Sequence, residues 1–66
     1  MRITLNGEPR EVADSTTLRE LVEHSTPPGS ACAAEVNKDL VPRRKHQETV
    51  LREGDTVELV TLVGGG

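Results

Sequence analysis

The end of the chain holds the residues with the most distinctive chemistry. Gly64, Gly65 and Gly66 follow a strongly β-prone segment with no turn motif between them. Glycines lack a Cβ atom, so this tail can enter a narrow channel, and at ~3.3–3.6 Å per extended residue it reaches about 10 Å beyond Val63. A glycine α-carboxylate is also the least hindered acyl group that a protein can offer. An ATP-using partner could therefore adenylate Gly66, and a sulfur or nitrogen nucleophile could then attack it.

The two histidines and the single cysteine form no catalytic or metal-binding constellation. Neither His24 nor His46 has metal-ligand spacing to Cys32 or to the other histidine. Each histidine lies in a short polar stretch, and we expect both on the surface. The alanines beside Cys32 predict a small, partly buried strand position rather than a nucleophile. We therefore expect no catalytic residue, no metal site and no cofactor bound by the chain itself.

A basic run extends from Arg43 to His46. It has no interleaved aromatic residues, which proteins that bind single-stranded nucleic acid use for stacking. Eleven acidic against eight basic residues give a net charge of −3, which is the wrong sign for a nucleic-acid or anionic-membrane binder. We interpret the run as a solvated loop in which Arg43 is a candidate docking contact for a partner.

The size and composition of the chain limit what it can contain. Sixty-six residues without Phe, Tyr or Trp predict one small domain with an aliphatic core and no large catalytic cleft. A single cysteine excludes an internal disulfide, and no leader and no apolar run of roughly 20 residues are present. These features predict a soluble, cytoplasmic protein that is a monomer when free.

Local patterns predict the elements that must position the tail. Asn6-Gly7 indicates a tight hairpin turn, and Thr17 with Glu20 has the spacing of a helix capping box. Pro9 and Pro42 each confine a strand to an edge of the sheet, because proline lacks a backbone N–H. The predicted elements are a strand at 2–5, a return strand at 8–12, a helix from Thr17 that ends before Pro27-Pro28, strands at 32–36 and 40–41, an irregular stretch or single helical turn at 43–50, and a strand at 56–63.

Two edge prolines leave the last strand in the middle of the sheet, beside the first strand and parallel to it. This arrangement is an α+β, β-grasp fold, with a mixed sheet of four to five strands and one helix crossing one face. We expect residues 1–63 to form the domain and residues 64–66 a flexible tail. Strand alternation turns Val57 and Leu59 toward the helix, so Val60 and Leu62 should be exposed on the other face as a docking surface. The alternative is that the 43–50 stretch covers them.

Motifs along the whole chain carry a family resemblance: Asn6-Gly7-Glu8, Glu35-Val36-Asn37, Leu40-Val41-Pro42-Arg43 with His46 soon after, Glu53-Gly54-Asp55-Thr56-Val57-Glu58, and the terminal glycines. In this order they resemble the ThiS sulfur-carrier family of thiamine biosynthesis, a branch of the ubiquitin-like β-grasp proteins. The resemblance implies that a ThiF-like enzyme adenylates Gly66 with Mg-ATP. A desulfurase then supplies sulfur from cysteine for a thiocarboxylate, and the thiazole synthase ThiG receives that sulfur.

On this resemblance Gly64 and Gly65 thread the partner sites, and the chain is a protein co-substrate rather than an enzyme. Three other functions are compatible with the same tail. The chain could carry sulfur for molybdopterin, cysteine or a secondary metabolite. It could be a protein modifier whose last glycine forms an isopeptide bond, or an interaction domain whose tail is inert.

Overall fold

The computed structural model describes the backbone of residues 1–62 and the side chains of residues 1–61. A 3₁₀ helix precedes the last strand where an irregular stretch or a single helical turn was predicted. The elements in chain order are β1 (Arg2–Leu5), β2 (Glu8–Glu11), α1 (Leu18–Ser25), β3 (Ala31–Val36), β4 (Asp39–Val41), the 3₁₀ helix (Arg43–Glu48) and β5 (Thr56–Leu62).

The five strands form one sheet in the order β2-β1-β5-β3-β4. β1 and β5 are parallel, and all other neighbouring strands are antiparallel. The two edge strands are β2 and β4. Pro9 lies in β2, and Pro42 directly follows β4. The predicted β-grasp arrangement and the central place of the last strand are confirmed.

Both hairpins turn through pairs of residues with positive φ. Asn6 and Gly7 have φ of 50° and 83°, as a type I′ turn requires. Asn37 and Lys38 have φ of 52° and 73°, so the second turn needs only these two residues. Asp39, which lies just outside the strand predicted at 40–41, is the first residue of β4.

The predicted capping box begins α1. Thr17 is the N-cap, and its hydroxyl accepts a hydrogen bond from the Glu20 backbone N–H at 3.2 Å. In return the Glu20 carboxylate accepts the Thr17 backbone N–H at 2.9 Å. These bonds satisfy two donors that a helix start otherwise leaves without partners.

The core lies between α1 and one face of the sheet and is entirely aliphatic. Leu18, Ile3 and Val57 are its largest fully buried side chains. Leu59 is half-buried and packs against this core, so the predicted inward face of β5 is confirmed. The buried set is Ile3, Leu5, Leu18, Leu21, Ala34, Leu51 and Val57.

His46 corrects one sequence prediction. His24 is exposed as expected, but His46 is 5% exposed and lies on the inner side of the 3₁₀ helix, which packs against α1. Its Nε2 atom is 2.9 Å from the carbonyl oxygen of Val41. This hydrogen bond satisfies a polar atom that burial would otherwise penalise.

Candidate docking surface and C-terminal strand

β5 leads toward the glycine tail, and the side chains of two hairpin asparagines hold it in place. The Asn6 Oδ1 atom accepts the Leu59 N–H at 2.8 Å. On the other side of β5, the Asn37 Oδ1 atom accepts the Thr56 N–H at 3.0 Å. The sequence pattern indicated Asn6 only as a turn residue and Asn37 only as part of a family motif. Their second role depends on β5 passing beside both turns, which no local pattern reveals.

The face of the sheet away from α1 carries exposed apolar residues. Val60 is 58% exposed and Leu40 is 69% exposed. Together with neighbouring side chains they line a shallow depression, which we call the open sheet face: Ala33, Glu35, Leu40, Glu58 and Val60. The 3₁₀ helix packs against α1, on the other side of the sheet, and leaves Val60 exposed. The predicted exposure of Val60 is therefore confirmed.

Two carboxylates lie directly opposite each other on this face. Glu35 and Glu58 are register partners across β3 and β5, and Leu40 is the partner of Glu35 on β4. Like charges in that position destabilise a sheet. Neither carboxylate forms a salt bridge with any of the described residues. The open sheet face thus combines apolar side chains with negative charge, a surface suited to an apolar partner that brings a cation.

Arg43 lies elsewhere on the molecule. It lines a groove with Val22 and Glu23 of α1 and with the loop from Pro27 to Ser30. The structure therefore does not bring Arg43 together with Val60, although the sequence suggested both as docking residues. One flat partner surface on the open sheet face would not contact both.

Of the other residues that the sequence analysis singled out, the structure describes Cys32 fully, Leu62 only by its backbone, and none of the terminal glycines. Cys32 is half-buried on β3, as expected, and its Sγ atom is 3.5 Å from the carbonyl oxygen of Ala33. Leu62 pairs with Ala31 through its backbone, but its side chain lies outside the described residues. Gly64, Gly65 and Gly66 also lie outside them, so their predicted roles stay predictions.

The described residues contain no group of three or more His, Cys, Asp or Glu side chains that could hold a metal ion. Among the described helices, none is both long and apolar enough to cross a membrane.

Comparison with known proteins identifies a family. The model of the ThiS family matches residues 3–66. The chain is 34% identical over 64 residues to the sulfur carrier protein ThiS of Thermus thermophilus, covering 97% of this chain and 98% of that protein. The solved structure of the thiamine biosynthesis protein ThiS from Geobacter metallireducens superposes with a TM-score of 0.83 at 30% identity, covering 100% of both chains.

A longer relative is similar to this chain in one part only. The thiazole synthase of Magnetococcus marinus is 39% identical to this chain over 66 residues, which cover 100% of this chain and 20% of that protein. This chain therefore spans about a fifth of that relative's length. The rest of the synthase has no counterpart in the 66 residues.

Proposed function

This chain belongs to the ThiS family of sulfur carriers, and from that premise we propose that Gly66 is the point at which sulfur is attached. In the proposed cycle the Gly66 α-carboxylate attacks the α-phosphate of ATP on a ThiF-like adenylating enzyme and releases pyrophosphate. The outer sulfur of a persulfide formed by the desulfurase then attacks the acyl adenylate, displaces AMP and gives an acyl disulfide. A thiol cleaves that S–S bond, forms a new disulfide and releases the C-terminal thiocarboxylate. The partner binds the Mg-ATP, and a cysteine desulfurase supplies the sulfur.

The position of β5 supports this proposal. β5 is the central strand of the sheet, and the side chains of Asn6 and Asn37 hold it from its two sides. A strand fixed in this way sets the direction in which the chain leaves the domain. Gly64 and Gly65 would then thread the narrow entrance of a partner site, because bare backbone needs the least width.

The open sheet face supports a docking role beside the tail. Val60 lies near the end of β5 and is exposed, and we propose that it contacts the partner enzymes together with Leu62. Exposed apolar residues grouped beside a reactive terminus are typical of a binding surface. Arg43 would contact a different part of a partner, because it lies beside α1.

A thiazole synthase of the ThiG class is the proposed acceptor of the sulfur. The support is that the thiazole synthase of Magnetococcus marinus contains a segment similar to this whole chain. A carrier and the enzyme that consumes its sulfur gain from being joined, because linkage raises their effective concentration. On this proposal the chain is a protein co-substrate, its domain is residues 1–63 and its tail is residues 64–66.

Intact-mass measurement tests the proposal. The chain is incubated with the ThiF-like enzyme, Mg-ATP, a desulfurase, cysteine and a thiol reductant, beside a variant that lacks Gly65 and Gly66. We expect one oxygen of the wild-type chain to be replaced by sulfur, while the variant folds normally and supports no ATP–pyrophosphate exchange. An unchanged wild-type mass with a demonstrably active enzyme would contradict the carrier role. A thiocarboxylate that thiazole synthase leaves untouched would indicate a carrier for another pathway, and conjugates on a denaturing gel would indicate a protein modifier.

A further inference from the structure

β5 extends well beyond the strand that pairs with it on one side. On the β1 side the register partners are only Thr4 with Thr56 and Leu5 with Val57. On the other side β3 accompanies β5 to its last described residue, where Ala31 pairs with Leu62. The second half of β5 therefore has one paired edge and one edge that β1 does not reach.

The hydrogen bonds show which backbone groups lie on that edge. The Val57 carbonyl accepts the Asn6 N–H at 2.9 Å, and the Leu59 N–H donates to the Asn6 side chain, so both residues direct their backbone groups toward β1. Backbone groups alternate along a strand, so Thr61 directs its N–H and C=O the same way. β1 has already ended at Leu5, and no strand within the described residues pairs with Thr61 on that side.

A groove runs along this edge. The β1–β2 hairpin bounds it on one side and the end of α1 on the other, and its lining includes Asn6, Pro9, Ser25, Thr26, Leu59 and Thr61. Glu8 and Arg10 also line it, one carboxylate and one guanidinium, so it carries no net charge. An unpaired strand edge in a neutral groove is suited to an extended backbone rather than to a charged ligand.

We propose that this groove binds an extended segment of the adenylating partner by β-strand addition, with Thr61 as the central backbone contact. The inference rests on the proposed function, because it assigns the surface through which the partner of Gly66 aligns the tail. Strand addition at an exposed edge is a common mode of peptide recognition. Pairing between two copies of this chain through the same edge is the alternative, and the oligomeric state of the free chain tests it.

A proline substitution tests the proposal with a matched control. Thr61→Pro removes the N–H that faces the groove but none of the bonds to β3, and proline is tolerated where the N–H faces away from the ladder. Thr61→Val keeps the N–H and the β-branched shape. We expect Thr61→Val to bind the adenylating enzyme like the wild type and Thr61→Pro to bind about 10-fold more weakly.

The two proposals fail in different ways. A wild-type chain that the enzyme neither binds nor adenylates contradicts the proposed function. Wild-type and Thr61→Pro chains that are bound equally well overturn strand addition while leaving the carrier role intact. Dimers of the free chain that Thr61→Pro abolishes would also overturn it, in favour of pairing between copies.

Amide hydrogen exchange on the wild-type chain gives a test that does not depend on how the proline variant folds. In the free chain the Leu59 N–H already has a partner in Asn6, so it should exchange more slowly than the Thr61 N–H. Adding the adenylating enzyme should slow exchange at Thr61 at least about 10-fold, since a backbone bond then forms there. An unchanged exchange rate at Thr61 in the saturated complex would overturn the proposal.

Discussion

Val57 and Val60 lie three residues apart on β5 and should respond in opposite ways to the same substitution. Val57 is 0% exposed and Val60 is 58% exposed. Threonine has nearly the shape of valine and also favours strands. The main effect of a valine-to-threonine substitution is therefore to replace one methyl group by a hydroxyl group. The pair therefore compares the two faces of one strand with little change in volume.

The expected magnitudes follow from burial. In Val57→Thr an unpartnered buried hydroxyl costs about 1–3 kcal/mol, and the lost methyl burial adds about 0.8 kcal/mol. For a domain of this size, a loss of about 2–4 kcal/mol lowers the melting temperature by roughly 15–30 °C. In Val60→Thr the free energy of unfolding should change by no more than about 0.5 kcal/mol. Partner binding should show the opposite pattern: Val60→Thr should weaken the binding of the proposed partners, and folded Val57→Thr should bind them like the wild type.

Circular dichroism is the appropriate assay, because the chain has no Trp or Tyr for fluorescence. Thermal and urea unfolding of both variants are compared with the wild type, and partner binding is measured on the folded chains. Equal destabilisation by the two substitutions would refute the assignment of faces along β5. A Val60→Thr chain that is stable and binds both partners normally would refute the docking role of Val60.

Three further predictions concern the helix cap and the tail. Thr17→Ala removes both side-chain bonds of the cap and should cost about 1 kcal/mol in urea unfolding, whereas Thr17→Ser should retain most of that stability. The Thr17 backbone N–H, followed by the Thr17 hydroxyl, lowers the pKa of Glu20 from its ordinary value of 4.5. The resulting stabilisation is complete above pH 4.5 and is lost as the pH falls through the folded-state pKa. The difference in free energy of unfolding between the wild type and Glu20→Gln should therefore shrink below pH 4.5. Gly65→Val keeps the terminal carboxylate but widens and stiffens the tail. The thiocarboxylate yield in the intact-mass assay should therefore fall nearly as far as in the truncated chain. A normal yield would show that the tail is recognised by length and charge alone.

The hairpin at Asn6-Gly7, the capping box of α1 and the edge positions of β2 and β4 were all predictable from the sequence. Each depends on the conformational limits of a few adjacent residues: positive φ in a tight turn, side-chain bonds at a helix start and the missing N–H of proline. With two edges assigned, the central position of β5 and its parallel pairing with β1 followed. Strand alternation then predicted the burial of Val57 and the exposure of Val60.

Other features were decided by segments that are distant in the sequence. His46 is buried because the 3₁₀ helix packs against α1, and its polar ring is satisfied by Val41, on the neighbouring strand. Glu35 and Glu58 become neighbours only through the register of β3 and β5.

The sequence by itself therefore determined the turns, the helix start, the edge strands and the alternating faces of β5, because short-range sterics and hydrogen bonding set them. Tertiary structure alone decided how far β5 extends past β1 and where the two hairpin asparagines meet it. It also placed Arg43 away from Val60. The physical reason is that these relations depend on strand register and packing between residues up to 53 positions apart, such as Asn6 and Leu59, and no local pattern encodes a distance of that kind.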